Sequence, residues 1–417
     1  MKILTSHAGT KKFIRGILKR LVLLPLYTIS SFILYIFARL MTPARVIRFG
    51  LLDVSRIGAF YSVDYSQIEN QISRKPFLNL WFSTKSIPNK CNSYWINIWS
   101  IKIYIIPFPD FGHYLVTLFK KLPYGKLHLI PTQYEYNFTN NLRLLEAYSN
   151  SKPQINLPED LIINCKKQLD NLQIDVSNGY ICFHSRDPAY LNSIDPSRNW
   201  SYHNYRDSNI NNYVIAVSKF LQHNNILAFR MGSIVNSKLS VINSRIIDYS
   251  SLFWSEVMDL YLGSQCKFFV CSDTGISIIP ETFRRPIVLT NFTTYYRIRA
   301  DFAFGVMISK KYYLRSESRY LNTIELITNP KFRIDQHDSN HLSLLGVELI
   351  ENTPEEIYDA MVEINSRICG NWIEDTEDAE LQNVFWSQFN HIKFRPKNFF
   401  LCAKFLRDNK EFLVPAK

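Results

Sequence analysis

The alternation of apolar and polar positions predicts an α/β fold over most of the chain. Short apolar runs of strand length alternate with stretches in which apolar residues recur at intervals of three and four, the spacing of a helix face. This order is typical of parallel sheets covered by helices. The strand-like runs are Val46–Gly50, Leu78–Thr84, Ser93–Trp99, Ile101–Pro107, Gly179–Phe183, Asn225–Arg230, Arg245–Tyr249, Lys267–Ser272 and Pro286–Asn291.

Helix signals lie between and after these runs. Two predicted helices have a proline near their first turn, Pro158 and Pro354, where the fixed φ of proline suits a helix start. The second of them covers Asn352–Ile364. Further helices are predicted over Ile210–Gln222 and Ser255–Ser264.

A turn-rich break at Ser149–Leu157 divides the chain into two halves. The first strand of the second half, Gly179–Phe183, is apolar throughout, which indicates burial on both faces. We predict a doubly wound parallel sheet in this half. In such sheets ligands bind outside the carboxyl ends of the strands.

An apolar and basic segment precedes the first strand. Lys11–Arg20 has apolar residues on one helical face, and Leu21–Phe37 is an uncharged run of 17 residues interrupted by Pro25. This length is at the short limit for crossing a bilayer, which needs about 20 residues, and no signal cleavage site follows. Positive charges on both sides of the run favour a re-entrant or in-plane anchor on the cytoplasmic membrane surface over a spanning helix. The alternative is a buried helical hairpin.

The charge distribution argues against nucleic-acid binding. The 417-residue chain has a formal net charge of +12, but nine basic residues and no acidic residue precede Asp53, so the remainder is close to neutral. A hydrophobic fraction of 47% with only 13 glycines excludes disordered and collagen-like architectures. Seven scattered cysteines without a Cys-x-x-Cys pair indicate buried thiols in a reducing compartment.

Polar residues cluster at three predicted strand ends of the second half. They are His184, Arg186 and Asp187 after one strand, Arg230 and Gly232 after the next, and Ser272, Asp273, Thr274 and Gly275 after a third. Clusters at neighbouring strand ends predict a functional cleft. The third cluster runs into a predicted helix, whose free N–H groups form an anion cradle suited to a sugar-nucleotide pyrophosphate. Alternatively, Asp273 or Thr274 acts only as an N-cap.

The Ser272–Gly275 stretch resembles the donor-binding turn of GT-B glycosyltransferases of the heptosyltransferase type, although the Asn and the Pro of that turn are absent. More closely, the chain resembles a family of bacterial glycosyltransferases associated with surface-polysaccharide gene sets. The segments that carry this resemblance are Arg56–Phe60, His184–Leu191, Tyr202–Tyr213, Phe229–Gly232, Ile246–Ser250, Val257–Pro280 and Phe405–Asn409.

The resemblance implies a GT-B fold, in which two doubly wound Rossmann-like domains face a cleft. We therefore expect a membrane-associating segment at 1–44, an acceptor domain at 45–175, a donor-nucleotide domain at 176–350 and a helical segment at 351–417 that packs back on the first domain. The implied activity is transfer of a sugar from a nucleotide-sugar donor to a lipid-linked or surface-polysaccharide acceptor (lipopolysaccharide, capsule or O-antigen), at the cytoplasmic face of the inner membrane. A non-catalytic nucleotide- or glycan-binding protein and a sugar-nucleotide epimerase of similar shape are the alternatives.

The strand-end residues suit such a donor. Arg186, Arg206 and Arg230 offer planar guanidinium groups to the diphosphate and would stabilise its developing charge without a metal. Tyr202 either stacks on a base or sugar or packs within its own loop. His184 either contacts the ribose or phosphate or is held by a neighbouring carbonyl.

An inverting transfer also needs a base near the acceptor hydroxyl. Asp53, Asp110, His113 and Glu135 in the first half are the candidates, with a solvated loop position as the alternative for each, whereas a retaining mechanism needs none. The chain contains no P-loop, Gly-x-Gly-x-x-Gly, Gly-x-Ser-x-Gly or Asp-x-Asp motif. We accordingly expect no cofactor and no metal ion. We interpret His337 and His341 as loop residues.

Overall fold

The computed structural model describes residues 19–84, 92–132, 135–136, 141–236, 238–239, 243–295, 298, 303–332, 339–389 and 397–413. The chain divides into two compact units, the first formed by residues 1–91 and 99–136 and the second by residues 92–98 and 137–417. Both units are built on parallel sheets, and the first begins with an apolar helix. The predicted mixed α/β class is therefore confirmed.

The sheet of the first unit has three parallel strands in the order β1-β2-β3. The strands are β1 (Val46–Leu52), β2 (Phe77–Ser83) and β3 (Tyr104–Ile106). The helices are α1 (Leu24–Met41), α2 (Tyr61–Ile72) and α4 (Pro109–Phe119), while α3 (Ser93–Ser100) begins in the second unit. One apolar core cluster joins the sheet to α1 and α4 through Ala38, Ile47, Phe49, Phe82, Leu115 and Phe119.

Helix α1 continues a π-helical turn at Lys19–Leu23. Leu21–Met41 is, within the described part of the chain, the one helix long and apolar enough to cross a membrane, with a mean hydropathy of 2.1. A soluble core helix and a signal sequence meet the same criterion, but only 11% of this apolar window is buried. The buried-hairpin interpretation is therefore wrong for this helix. The predicted amphipathic helix at Lys11–Arg20 lies outside the described residues apart from its last two positions.

The second unit contains a seven-stranded parallel sheet in the order β13-β9-β8-β7-β4-β5-β6. Its strands are β4 (Tyr180–His184), β5 (Leu227–Arg230), β6 (Ile246–Ile247), β7 (Phe269–Cys271), β8 (Ile287–Phe292), β9 (Gly305–Ser309) and β13 (Phe399–Leu401). A small antiparallel sheet has the order β11-β10-β12, with β10 (Lys311–Leu314), β11 (Arg319–Tyr320) and β12 (Val347–Ile350).

Helices cover this sheet. They are α5 (Leu142–Ser149), α6 (Glu159–Asn171), α7 (Ala189–Ile194), α8 (Ile210–Gln222), α9 (Tyr249–Leu252), α10 (Glu256–Gln265), α11 (Ile278–Thr282), α12 (Thr323–Thr328), α13 (Ser339–Leu344), α14 (Pro354–Ile368), α15 (Thr376–Ser387) and α16 (Ala403–Asp408). The thiols of Cys165, Cys182, Cys266, Cys271 and Cys402 are free and buried between these layers, whereas Cys369 is exposed.

The predicted strand at Ser93–Trp99 is wrong, because this segment forms helix α3. Its aromatic and β-branched residues favour a strand locally, but Trp95, Ile98 and Trp99 are buried at the spacing of one helix face. The Asn92 side chain accepts a hydrogen bond from the Trp95 N–H at 2.9 Å, which satisfies a free donor of the first helical turn.

The C-terminal segment packs within the second unit, and its expected packing on the first domain stays a prediction. Helix α14 lies against α8 and the sheet, and β13 adds a parallel strand beside β9. The Ala403 N–H donates to the buried carboxylate of Glu363 in α14 at 2.7 Å. Strand pairing and this buried hydrogen bond together fix the segment. The first unit ends at Tyr136, and α6 belongs to the second unit.

A buried asparagine joins β8, β9 and α14. The Asn291 N–H donates to Asn352 Oδ1 at 2.6 Å, and the Asn352 N–H donates to Asn291 Oδ1 at 2.8 Å. Asn352 Nδ2 donates to the Ser309 carbonyl at 2.8 Å. Asn352 is fully buried, so water cannot replace these partners.

We expect Asn352→Ala to lower the free energy of unfolding by about 2–4 kcal/mol, because it leaves buried backbone groups of Asn291 and Ser309 without partners. Urea unfolding followed by circular dichroism measures this loss. The control is Asn371→Ala at an exposed position, for which we expect less than about 0.5 kcal/mol. Equal losses in both variants would contradict the structural role of Asn352.

Candidate functional site

The parallel sheet of the second unit brings several strand ends to one edge. Residues that directly follow β4, β7 and β9 lie side by side there, with β8 between β7 and β9. The backbone N–H of Arg186 donates to the Ser272 Oγ at 3.1 Å, which joins the end of β4 directly to the end of β7. Two of the three predicted polar clusters therefore meet.

Arg186 lies at the centre of this edge with 8% of its surface exposed. Its Nη1 forms an ion pair with the Asp207 carboxylate and donates to the His203 carbonyl at 3.2 Å. Both partners belong to the loop between α7 and α8. The guanidinium group is thereby held in one orientation.

Arg206 from the same loop reaches the turn after β7. Its Nε and Nη2 donate to the Asp273 carbonyl at 3.0 and 2.5 Å. The Nε also lies 3.4 Å from Asp273 Oδ2. The loop thus holds the Arg186 guanidinium group through Asp207 and His203 and brings the Arg206 guanidinium group to the turn.

Lys310 is a residue that the sequence analysis did not identify. It directly follows β9, is 3% exposed and donates from Nζ to the Asp207 carbonyl at 2.5 Å. Strand β9 was not predicted from the sequence, so Lys310 was not recognised as a residue at a strand end. The signal available was a lysine directly after the apolar run Gly305–Ser309. Asp207 therefore links Arg186 and Lys310, and we call Arg186, Arg206 and Lys310 the cation cluster.

Burial shifts the pKa values of the cation cluster. Desolvation, assisted by the neighbouring charge of Arg206, lowers the pKa of Arg186 to about 10. Desolvation lowers the pKa of Lys310 to about 8, with Arg186 contributing in the same direction and Glu351 opposing it. A lowered pKa means that the surrounding groups stabilise the cation by less than the loss of hydration destabilises it. An anion bound at this edge would supply the missing compensation.

His184 at the end of β4 is a hydrogen-bond acceptor. Its Nδ1 lies 2.9 Å from the Met231 carbonyl, which can only accept, so Nδ1 carries the proton. Burial lowers the pKa of the imidazole, and the charges of Arg230 and Arg186 act in the same direction, although Met231 and Asp187 oppose the shift. The ring is therefore neutral at pH 7, and Nε2 presents a lone pair to a hydroxyl donor.

Gly232 permits this arrangement. Its φ of +136° disfavours side chains, and a Cβ at this position would lie 3.3 Å from His184 Nδ1 and 3.0 Å from Val235 Cγ1. The contact of His184 with the segment after β5 therefore depends on a residue without a side chain.

The remaining predicted residues make contacts within the fold. Arg230 is 2% exposed and forms a buried ion pair with Asp248 at 3.3 Å. Asp187 accepts from the Ala189 N–H at 2.9 Å and the Asn236 N–H at 3.1 Å.

Tyr202 packs within its own loop. Its ring stacks on Trp200 at a centroid distance of 6.2 Å, and its hydroxyl accepts from Arg198 Nη2 at 2.8 Å. These contacts agree with the second of the two interpretations that the sequence left open for this tyrosine.

The turn after β7 differs from the expected helix start. Thr274 is extended, without a side-chain cap hydrogen bond, and a 3₁₀ turn at Gly275–Ser277 leads into the five-residue helix α11. The dipole of so short a helix contributes little to anion binding. The side chains of the cation cluster are therefore the main cationic groups at this edge.

The candidate bases in the first unit are each held by local contacts. Asp53 Oδ1 accepts from the Ser55 N–H at 3.1 Å and from its hydroxyl at 2.5 Å. Glu135 Oε2 accepts from the Thr132 N–H at 2.7 Å.

The other two candidates lie in the first turns of α4. The exposed Asp110 is in the first turn, and His113 Nδ1 donates to the Pro109 carbonyl at 2.8 Å. Their service as a base, like that of Asp53 and Glu135, stays a prediction.

Within the described ranges, no three His, Cys, Asp or Glu side chains gather where they could hold a metal ion. The loop prediction is wrong for His341, because it begins the last turn of α13 and donates from Nε2 to the Lys331 carbonyl at 2.8 Å. His337 lies outside the described residues.

No protein-family model matches the sequence, and neither does any curated protein. The fold is similar to a heptosyltransferase, the ADP-heptose LPS heptosyltransferase II of E. coli, with 11% identity over 58% of this chain and 84% of that one and a TM-score of 0.32. A glycosyl transferase of family 9 from Veillonella parvula gives 10% identity, 76% and 97% coverage and a TM-score of 0.41. A UDP-GlcNAc 2-epimerase from Methanocaldococcus jannaschii gives 8% identity, 64% and 89% coverage and a TM-score of 0.29. Scores this low carry no functional argument, which must come from the strand-end residues.

We expect Gly232→Ala to destabilise the protein by about 1–3 kcal/mol, because the alanine is strained at this φ, and also to displace the His184 ring. Gly179→Ala is the matched control, since Gly179 also has a positive φ, of +85°, but a Cβ added there would meet no atom within 4 Å. Urea unfolding measures the strain in both variants, and NMR titration of the His184 ring measures its displacement. An unchanged His184 titration in Gly232→Ala would contradict the contact.

Proposed function

We propose that this protein is a glycosyltransferase that transfers a sugar from a nucleotide-sugar donor to a lipid-linked or surface-polysaccharide acceptor. The observation that carries the proposal is the convergence of Arg186, Arg206 and Lys310 at the carboxyl edge of a parallel sheet. Doubly wound sheets bind ligands at this edge. The negative charge of a nucleotide diphosphate would balance the positive charge of the cation cluster. The resemblance of Ser272–Gly275 to a donor-binding turn supports the same class of ligand.

The cation cluster would bind the diphosphate of the donor. Guanidinium groups match the planar geometry of phosphate oxygens, and the buried ammonium group of Lys310 adds a point charge. As the glycosidic bond to the phosphate breaks, negative charge develops on the leaving group. Preorganised cations in a site of low polarity stabilise that charge without reorganising. This is the step that the cluster can accelerate.

His184 would orient the donor by accepting a hydrogen bond at Nε2. A hydroxyl group of the ribose or of the transferred sugar is the fitting partner, since a phosphate oxygen at the same place offers no proton at neutral pH. Arg230 acts in this proposal through the fold, because its ion pair with Asp248 fixes the end of β5. Its direct contact with the donor stays a prediction from the sequence.

The finer parts of the proposal concern acceptor, location and metal. We propose an acceptor in the cell-surface glycan pathway of a bacterium and a reaction at the cytoplasmic face of the inner membrane, which the apolar helix α1 supports. A cluster of cations at the diphosphate position supports catalysis independent of a divalent metal. Kinetic assays in a chelator test this directly, and activity that requires added magnesium or manganese would contradict it.

Turnover assays separate this proposal from the two alternatives. A purified transferase is expected to release the nucleoside diphosphate from its donor slowly in the absence of acceptor and faster in its presence. An epimerase interconverts sugar nucleotides without an acceptor, and a non-catalytic binding protein leaves them unchanged. A panel of nucleotide sugars in a thermal-shift assay first identifies the donor.

We expect Arg206→Ala to lower kcat/KM for the donor about 10- to 150-fold, the kinetic equivalent of about 1.5–3 kcal/mol for a contact to an ionised partner. Its melting temperature should change little, since the side chain is partly exposed. Arg230→Ala is the contrast, because breaking a buried ion pair costs about 3–5 kcal/mol of stability. Arg315→Ala, on the exposed pair with Glu348, is the control for both measurements. Unchanged kcat/KM in Arg206→Ala would contradict the site.

We expect the affinity for a nucleoside diphosphate to fall as the pH rises above about 8, because Lys310 binds phosphate only when protonated and its pKa is about 8. The dissociation constant should rise by about tenfold per pH unit above that value. Titration calorimetry with UDP and ADP between pH 7 and pH 9 measures it. Lys310→Met should bind more weakly at pH 7 and lose this pH dependence. A pH profile that is the same in both proteins would exclude Lys310 from the site.

A further inference from the structure

One long face of α1 is apolar and open to solvent. We call it the outer face. Its large side chains are all more than a third exposed, and they extend over the whole helix and the turn before it. They are Leu21, Val22, Leu24, Leu26, Ile29, Phe32, Ile33, Ile36, Phe37 and Leu40. An exposed apolar surface of this extent marks a site of contact with another apolar phase.

The opposite face of α1 is attached to the first unit along most of its length. The Tyr27 ring contacts Phe111 of α4 at a centroid distance of 5.4 Å. Further along, the Tyr35 hydroxyl donates to the Pro123 carbonyl at 2.6 Å, and Ala38 is fully buried in the core cluster. From Tyr27 to Met41 the helix runs about 21 Å, at 1.5 Å per residue, against the unit.

This attachment is incompatible with a helix that crosses the bilayer. A spanning α1 would carry α4 into the hydrocarbon, because the two helices pack side by side. Helix α4 exposes Asp110, His113 and Thr117, and the exposed Lys120 follows it. These groups would lose their hydration there without new partners. The outer face can therefore enter a membrane only with α1 parallel to the surface.

A basic rim borders the outer face. Arg39 lies with its Cζ 4.9 Å from the centroid of the Tyr124 ring, which is 74% exposed. Lys120, Lys121 and Lys126 lie exposed in the same loop region. The sequence has no Asp or Glu in residues 19–52 or 111–134. Anionic headgroups complement this rim, whereas a second copy would oppose it with like charges.

We infer that α1 lies in the plane of an anionic membrane surface, with its outer face in the acyl boundary and the basic rim in the headgroup layer. Tyr124 has the amphipathic ring that is favoured at this depth. The inference deepens the membrane location given under the proposed function, but its evidence comes from the first unit alone and does not depend on the activity. The partner of α1 is then a lipid bilayer, and the axis of α1 lies parallel to the membrane surface.

Vesicle co-sedimentation of the full chain tests the partner. We expect binding to vesicles of phosphatidylcholine with phosphatidylglycerol and weaker binding to phosphatidylcholine alone. The double variant Ile33→Glu, Phe37→Glu on the outer face should lower the partition coefficient by about tenfold or more, whereas Ile215→Glu, an exposed isoleucine of α8, should not. Lys120→Glu with Lys121→Glu should lose the preference for the anionic lipid, whereas Lys166→Glu with Lys167→Glu on α6, an equal change of charge, should keep it.

Spin labels on the outer face test the orientation. Single cysteines are introduced by Val22→Cys, Ile29→Cys or Ile36→Cys in a chain that carries Cys91→Ser and Cys369→Ser. Accessibility to oxygen and to a nickel chelate then reports the depth of each label. A flat helix gives the same shallow depth at all three positions. Depths that increase steadily along the helix towards the bilayer centre would overturn the flat orientation.

Two further results would overturn the proposal: no vesicle binding by the unaltered protein, or a dimer in solution that the outer-face variants dissociate. Release of nucleoside diphosphate in detergent solution is measured in parallel on the same preparations. If the unaltered protein lacks this activity, the proposed function alone is contradicted. If it lacks vesicle binding, the membrane inference alone is contradicted.

Discussion

Parallel pairing of the seven strands in the second unit constrains where its polar chemistry can lie. Every strand of this sheet ends at the same edge, so residues far apart in the sequence are delivered to one place. The interior strands are buried and mostly apolar, and their polar side chains lie towards the carboxyl ends. Charged groups at the edge must therefore find partners among one another, as Arg186, Asp207 and Lys310 do.

The loop between α7 and α8 satisfies this constraint and leaves part of the charge uncompensated. The Asp207 carboxylate forms an ion pair with Arg186, and its backbone carbonyl accepts a hydrogen bond from Lys310. Arg206 donates to the Asp273 carbonyl. The pKa values of Arg186 and Lys310 are lowered because burial destabilises these cations by more than their partners stabilise them. A fold that only needed stability would replace such groups with apolar ones. Buried cations with this incomplete compensation suit an anionic ligand, which is the role that the proposed function gives them.

The sequence predicted the elements whose patterns were local and missed those that depend on neighbours. Helix α8 has the predicted bounds, because its apolar spacing and its Asn209 cap are both local signals. Ser93–Trp99 has strand-forming residues, and only its packing and its contact with Glu256 make it a helix. The meeting of Arg186 and Ser272 followed from counting strand ends, whereas Arg206 lies in a loop. Lys310 was not found in this way, because β9 was not among the predicted strands.

Strand β13 is the last of the seven along the chain and pairs with β9, although the small antiparallel sheet and helices α12 to α15 lie between the two in the sequence. During synthesis β9 therefore presents a row of unpaired backbone groups until Phe399–Leu401 leaves the ribosome. Open edges of this kind are where partly folded chains associate with one another. The sheet is complete only after the C-terminal segment has been made. A cell that makes this protein has to protect one bare strand edge for as long as translation of the intervening segment lasts.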